Sequence, residues 1–139
     1  MNTMHRRAAY GRGAGAYARV GVESNVMSAT PHQLIMMLFD GAQTNLRTAK
    51  LHLEKGQMAE KGAAISKVLD IVNNGLLAAL DREQGGEVAE NLASLYEYVN
   101  TLLLQANLQN DVARLEEAER LLESIGSAWR EMGEQSLGA

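Results

Sequence analysis

Three histidines, His5, His32 and His52, are the side chains of this chain best suited to hold a metal or move a proton. Their surroundings argue against both roles. A di-metal site in a helical bundle uses Glu-x-x-His pairs that place both ligands on one helix face, and no such pair occurs here. His32 and His52 fall in the first and last turns of one expected helix, far apart along it, and read as surface or capping residues. There is no cysteine, so disulfides and thiolate metal sites are excluded. No Gly-rich stretch precedes Lys-Ser or Lys-Thr, and nucleophile-elbow and zinc-protease patterns are absent. The carboxylates crowd after Leu80, at Glu87, Glu90, Glu97, Glu116, Glu117 and Glu119 among others, and fit a solvated acidic face. The expectation is a protein that is not an enzyme and has no cofactor and no metal.

The elements that carry these residues are helical. Thr30-Pro31-His32-Gln33 reads as a helix start: Thr30 caps, Pro31 suits the first helical position and Gln33 completes a capping box. Leu34, Leu38, Ala42, Leu46, Ala49 and Leu53 then recur at helical spacing, and Gly56 is a natural stop. A second helix begins near 57–60 with the stripe Ala64, Ile65, Val68, Leu69, Val72, Leu76 and Leu80. Residues 81–86 read as a turn. A third helix carries Val88, Leu92, Leu95, Tyr96, Val99, Leu102, Leu103 and Ala106, with Asn107 as its C-terminal cap and residues 107–110 as a turn. Asn110 or Asp111 caps a fourth helix bearing Val112, Leu115, Ala118, Leu122, Ile125, Trp129 and Met132. No alternating β-branched or aromatic run competes.

This pattern predicts an all-α fold, an antiparallel up-down four-helix bundle, with a partly ordered N-terminal segment. Residues 1–27 form a flexible or docked segment, 28–134 the bundle domain, and 135–139 a frayed end. At 139 residues with 46 % apolar content but one Phe, one Trp and four Tyr, the core must be aliphatic. No apolar run is long enough to span a membrane, and the N-terminus lacks the apolar stretch of a secretory signal. The expected location is the cytosol. Residues 1–22 hold four arginines and no acid, so the net charge of −4 leaves −8 for the rest. A nucleic-acid binder would carry a basic folded face, so none is expected as a partner.

The chain has more apolar surface than one stripe per helix needs. Leu34 to Phe39 is six apolar residues in a row, and Leu102, Leu103 and Leu104 are consecutive. Successive helical residues turn by about 100°, the width of one buried stripe, so such runs cannot all face one neighbour. Large bare apolar patches are uncommon on soluble monomers. A partner groove is the expectation, with Ile35, Met37, Phe39, Asn91, Leu95, Tyr98, Leu102 and Leu103 as candidate contacts. Tyr96 lies on the core stripe, so Tyr98 is the exposed one of the pair. Trp129 reads as a core or boundary anchor. A self-interface has the same composition as a client groove, so a homodimer, and a purely structural helical adaptor, stay open.

The chain resembles the FliS family of flagellar export chaperones. The resemblance rests on Ser28-Ala29-Thr30-Pro31-His32-Gln33-Leu34-Ile35 with Met37 to Ala42, on Leu80 to Glu83 with Gly85-Gly86-Glu87-Val88-Ala89-Glu90-Asn91-Leu92 and Leu95 to Tyr98, and on Ala106-Asn107 and Trp129-x-Glu131. It implies a bacterial cytosolic chaperone that binds the disordered C-terminal segment of flagellin and blocks premature polymerisation. It also implies delivery to the flagellar type III export gate, with contact to other flagellar regulators. On this reading the N-terminal segment, through Tyr10, Tyr17, Val20 and Val22, covers part of the groove until the client displaces it.

Overall fold

The computed structural model describes residues 28–138, with side chains described to Gly133. Among the described residues there are four helices and no strand. We label them α1 (Pro31–Glu54), α2 (Met58–Asp70), α3 (Arg82–Gln109) and α4 (Val112–Gly138); α2 runs straight into a π-helical stretch, Ile71–Leu77. The expected cover residues Tyr10, Tyr17, Val20 and Val22 lie outside the described residues.

Helix α1 starts as its sequence dictates. The Thr30 hydroxyl accepts the Gln33 N–H at 3.1 Å, and the Gln33 side chain accepts the Thr30 N–H at 2.9 Å. Two amides without intrahelical partners are thereby satisfied. The helix ends at Lys55, and Gly56 turns the chain with φ of 73°, a conformation that costs a side-chain-bearing residue and not glycine.

Two boundaries differ from the sequence expectation. Residues 81–86 are not a plain turn. Asp81 caps Gln84 N–H at 3.0 Å and starts α3 at Arg82, and the helix then breaks at Gly86 with φ of 53° and ψ of −129°. Asn107 does not end α3; Asn110 does, in the left-handed conformation with φ of 52°. Asn tolerates that region better than most residues. Asp111 then accepts the Ala113 N–H at 3.1 Å and opens α4.

The core is aliphatic. Leu46, Ile65, Leu76, Leu102, Leu103, Leu115, Leu122, Val68, Val72 and Val99, with Tyr96, are its largest enclosed side chains. Each such side chain removed from water contributes about 1.5–3 kcal/mol. The long apolar run of α1 is consumed because α1 packs against α2, its π-helical continuation and α4 at once. Ile35, Leu38 and Phe39 are all buried. Phe39 lies over Gly126 of α4, where an added Cβ would come within 3.3 Å of its ring. Helix α3 likewise packs on more than one element, and its Leu102 and Leu103 are both enclosed, leaving Leu104 outside.

Polar ties set how the helices face each other. Gln43 donates to the Glu119 carbonyl at 3.0 Å, and Lys50 sits 3.4 Å from Glu119 and 3.6 Å from Glu116, joining α1 to α4. Asn73 and Asn100 exchange side-chain amide bonds at 2.7 and 3.2 Å, joining the π-helical stretch to α3. Asn73 also donates to the Leu69 carbonyl at 2.8 Å, a turn earlier at the end of α2. Lys61 is the least expected tie. It is buried, and its Nζ donates to the Asn107 carbonyl at 2.9 Å and the Asn110 side chain at 2.8 Å. The ammonium thus sits at the carbonyl end of α3, where a cation is favoured. Lys61→Met keeps the stem and loses both charged bonds. It is expected to cost about 1.5–3 kcal/mol in urea unfolding; an unchanged midpoint would show that Lys61 does not secure α3.

Candidate functional site

The early parts of α1 and α3, the link after the π-helical stretch and the later half of α4 do not close on one another. They leave a trough of about 470 Å³, lined by Ile35 of α1, Leu76 of the π-helical stretch, Ala79 to Asp81 of the link after it, Val88 and Leu92 of α3, and Ile125, Trp129 and Met132 of α4, among others. Small residues make up part of the lining: Ala79, Gly85, Ala89, Ser124 and Ala128; Ala79 and Ala89 are buried, while Ser124 and Ala128 are exposed on α4. Larger side chains there would fill the trough. Gly85 has no alternative, since a Cβ at that position would lie 2.6 Å from that of Ala89.

The walls are apolar. Among the lining residues only Asp81 is charged. Val88 is 68 % exposed and Met132 50 % exposed, so they form the mouth while Ile35 forms the floor. Val88 was expected on the core stripe of the third helix. The break at Gly86 interrupts the helix just before it, so it does not continue the stripe set by Tyr96 and Val99.

His32 and Trp129 fasten the α1–α4 side. The His32 Nε2 bonds to the Trp129 carbonyl, and the two rings lie 6.1 Å apart at 47°. The imidazole fills the space over Gly133, where any Cβ would collide with it. His32 is therefore a cross-helix tie at the first turn of α1. Trp129 was expected as a core or boundary anchor; it is half-buried and also forms part of the trough wall. The sequence signal that points to this site is the set of small residues near the ends of α2, α3 and α4, together with the Gly85-Gly86 pair.

The eight candidate contacts separate into four groups. Ile35 alone lines the trough. Phe39, Leu102 and Leu103 belong to the core, a correction whose cause is that α1 and α3 each bury two flanks. Met37 is half-buried and away from the trough lining. Asn91, Leu95 and Tyr98 are exposed on α3; with Val88 they follow a spacing of three and four residues, one strip of the helix surface. That strip starts at the trough mouth and ends where the Tyr98 hydroxyl donates to Glu117 of α4 at 2.5 Å. The bond to Glu117 is the first cause that holds the Tyr98 phenol above its ordinary pKa. A phenol raised in the folded state keeps this bond at neutral pH and loses it only in strongly alkaline solution.

Comparison with known proteins gives matches over most of the chain. The family described as "Flagellar protein FliS" matches residues 13–136. The chain is 56 % identical over 120 residues to the flagellar secretion chaperone FliS of Salmonella typhimurium, covering 86 % of this chain and 89 % of that protein. It is 47 % identical over 120 residues to the flagellar secretion chaperone FliS of Escherichia coli, covering 86 % and 88 %. It is 42 % identical over 113 residues to the flagellar secretion chaperone FliSB of Pseudomonas aeruginosa, covering 81 % and 89 %.

The His32–Gly133 fit is directly testable. Gly133→Ala forces the imidazole off its seat and is expected to cost about 1–3 kcal/mol of stability, as overpacking does. Because Trp129 is the single tryptophan, its emission should shift in the same variant. Unchanged stability and emission would show that the tie is dispensable.

Proposed function

Since the chain belongs to the FliS family of flagellar secretion chaperones, which are not enzymes, we propose that its client is flagellin and that the trough is where the client's C-terminal segment docks. The observation that carries this reading is the unfilled apolar space between four otherwise well-packed helices. Monomers seldom leave such surface bare without a use. An amphipathic segment that is unstructured when free can fold into the trough and lay its outer turns along the Val88–Tyr98 strip, the helix-in-groove mode. Ordering the segment consumes about 2–5 kcal/mol of the gross interaction, so both the trough and the strip are needed for useful affinity.

The scaffold in this proposal is an antiparallel up-down bundle. Early α2 meets late α3 through Lys61, and early α1 meets late α4 through His32, which is what that arrangement requires. A bound client segment is kept from pairing with other flagellin molecules, which prevents polymerisation in the cytosol, and is handed to the type III export gate. No described helix is long and apolar enough to cross a membrane, in keeping with a cytosolic site of action.

The N-terminal segment has a part in this proposal. Residues 1–27 lead into Pro31, one turn before Ile35 in the trough floor. In this proposal Tyr10, Tyr17, Val20 and Val22 shield the trough until the client arrives. If the open form is one part in a hundred, apparent affinity falls about a hundredfold, so truncating residues 1–16 should tighten binding by up to that factor in a calorimetric titration. Equal or weaker binding would remove the shield from the account. Flagellin lacking its last forty or so residues should fail to co-purify with this chain, while full-length flagellin is retained; retention of both would place the client site elsewhere.

A further inference from the structure

The mouth of the trough carries the one sulfur of its lining. Met132, near the end of α4, lines the trough and is 50 % exposed. Three other methionines lie among the residues with described side chains. Met36 and Met37 of α1 are half-buried and outside the trough lining. Met58 is 39 % exposed, but it opens α2 at the far end of the bundle, where Lys61 ties that helix to the end of α3. Among these four, Met132 alone is both open to water and part of the trough. A thioether in that position is open to oxidation by peroxides, which turns a flexible apolar side chain into a polar one.

We infer that Met132 is an oxidation site that controls client binding: its sulfoxide leaves the bundle folded and weakens docking in the trough. This rests on the reading that the trough receives the client. The oxidant is a peroxide. The sulfur lone pair forms an S–O bond to one oxygen of hydrogen peroxide as the O–O bond breaks. The hydroxide released takes the proton of the transferred oxygen and leaves as water. Sulfur is oxidised by two electrons and the peroxide is reduced by two. The product adds a strong hydrogen-bond acceptor at the mouth. In the free chain that acceptor stays in water, so the fold is untouched. A client that closes over the mouth strips the water away and presents apolar side chains in its place, and an acceptor buried without a donor is costly. Sulfoxide reductases return the thioether, so the loss of binding is reversible.

The test treats the full chain with hydrogen peroxide, removes the peroxide, maps the sulfoxides by mass spectrometry and titrates in the flagellin C-terminal peptide. Sulfoxide at Met132 should weaken binding about five- to fiftyfold with an unchanged melting temperature. Methionine sulfoxide reductases of both epimer specificities should restore the starting affinity. Two variants locate the effect. In Met132→Leu, affinity after peroxide should equal that variant's own affinity before it. In Met58→Leu, peroxide should weaken binding as it does in the parent. A peroxide-dependent loss that persists in Met132→Leu belongs to another methionine and overturns the inference. So does a Met132 that forms no sulfoxide, or a melting temperature that falls with oxidation. Val88→Gln, altered only at the exposed mouth, tests the trough itself. If it weakens binding while the Met132 sulfoxide does not, the inference is overturned and the trough reading stands. If neither weakens binding, the trough reading fails and the inference falls with it.

Discussion

Four aliphatic helices fill the space between them along most of their length and fail to do so where α1 and α3 begin, beside the link after the π-helical stretch and the later half of α4. The proposed function depends on that failure. The core at Leu46, Ile65, Leu103, Leu115 and Leu122 is fully enclosed, as dense packing of branched side chains requires. At the trough the lining includes the small residues Ala79, Gly85, Ala89, Ser124 and Ala128. The walls stay apolar but no longer meet. Emptying a core costs stability, so the ties around the trough carry more weight: the Thr30 capping box, the Asp81 cap and the His32 bond to Trp129.

The polar ties also divide the molecule by role. Lys61, Asn73 and Asn100 hold α2 to α3 away from the trough, and Gln43 and Lys50 hold α1 to α4. These fix the helices so that the unfilled region keeps its shape without a ligand. A preformed groove saves the client part of the ordering cost that a collapsing one would add.

Much of this was legible in the sequence. The start of α1 followed from Thr30, Pro31 and Gln33, its end from Gly56, and the exposure of Tyr98 from the inward position of Tyr96. The number and type of helices followed from apolar spacing. The candidate site was read less well. Surplus apolar residues suggested a groove, but periodicity reports which face of a helix is apolar and not how many neighbours that helix has. Phe39, Leu102 and Leu103 looked surplus and are core, because α1 and α3 each pack on more than one element. The trough carries the opposite signal, small residues along its lining, which looks weak in a sequence because alanine also fills helices for propensity alone. Lys61 was invisible for a related reason: nothing local marks a lysine that reaches the carbonyl end of another helix.

The most direct test of the account is to let the chain fill its own trough. Ala128→Leu adds an aliphatic side chain at an exposed lining position on α4, and binding of the flagellin C-terminal peptide and the melting temperature are measured together. The account predicts a melting temperature equal to or above the parent's, as cavity filling gives, with peptide binding lost. A filled and stable chain that still binds the peptide with parental affinity would contradict it.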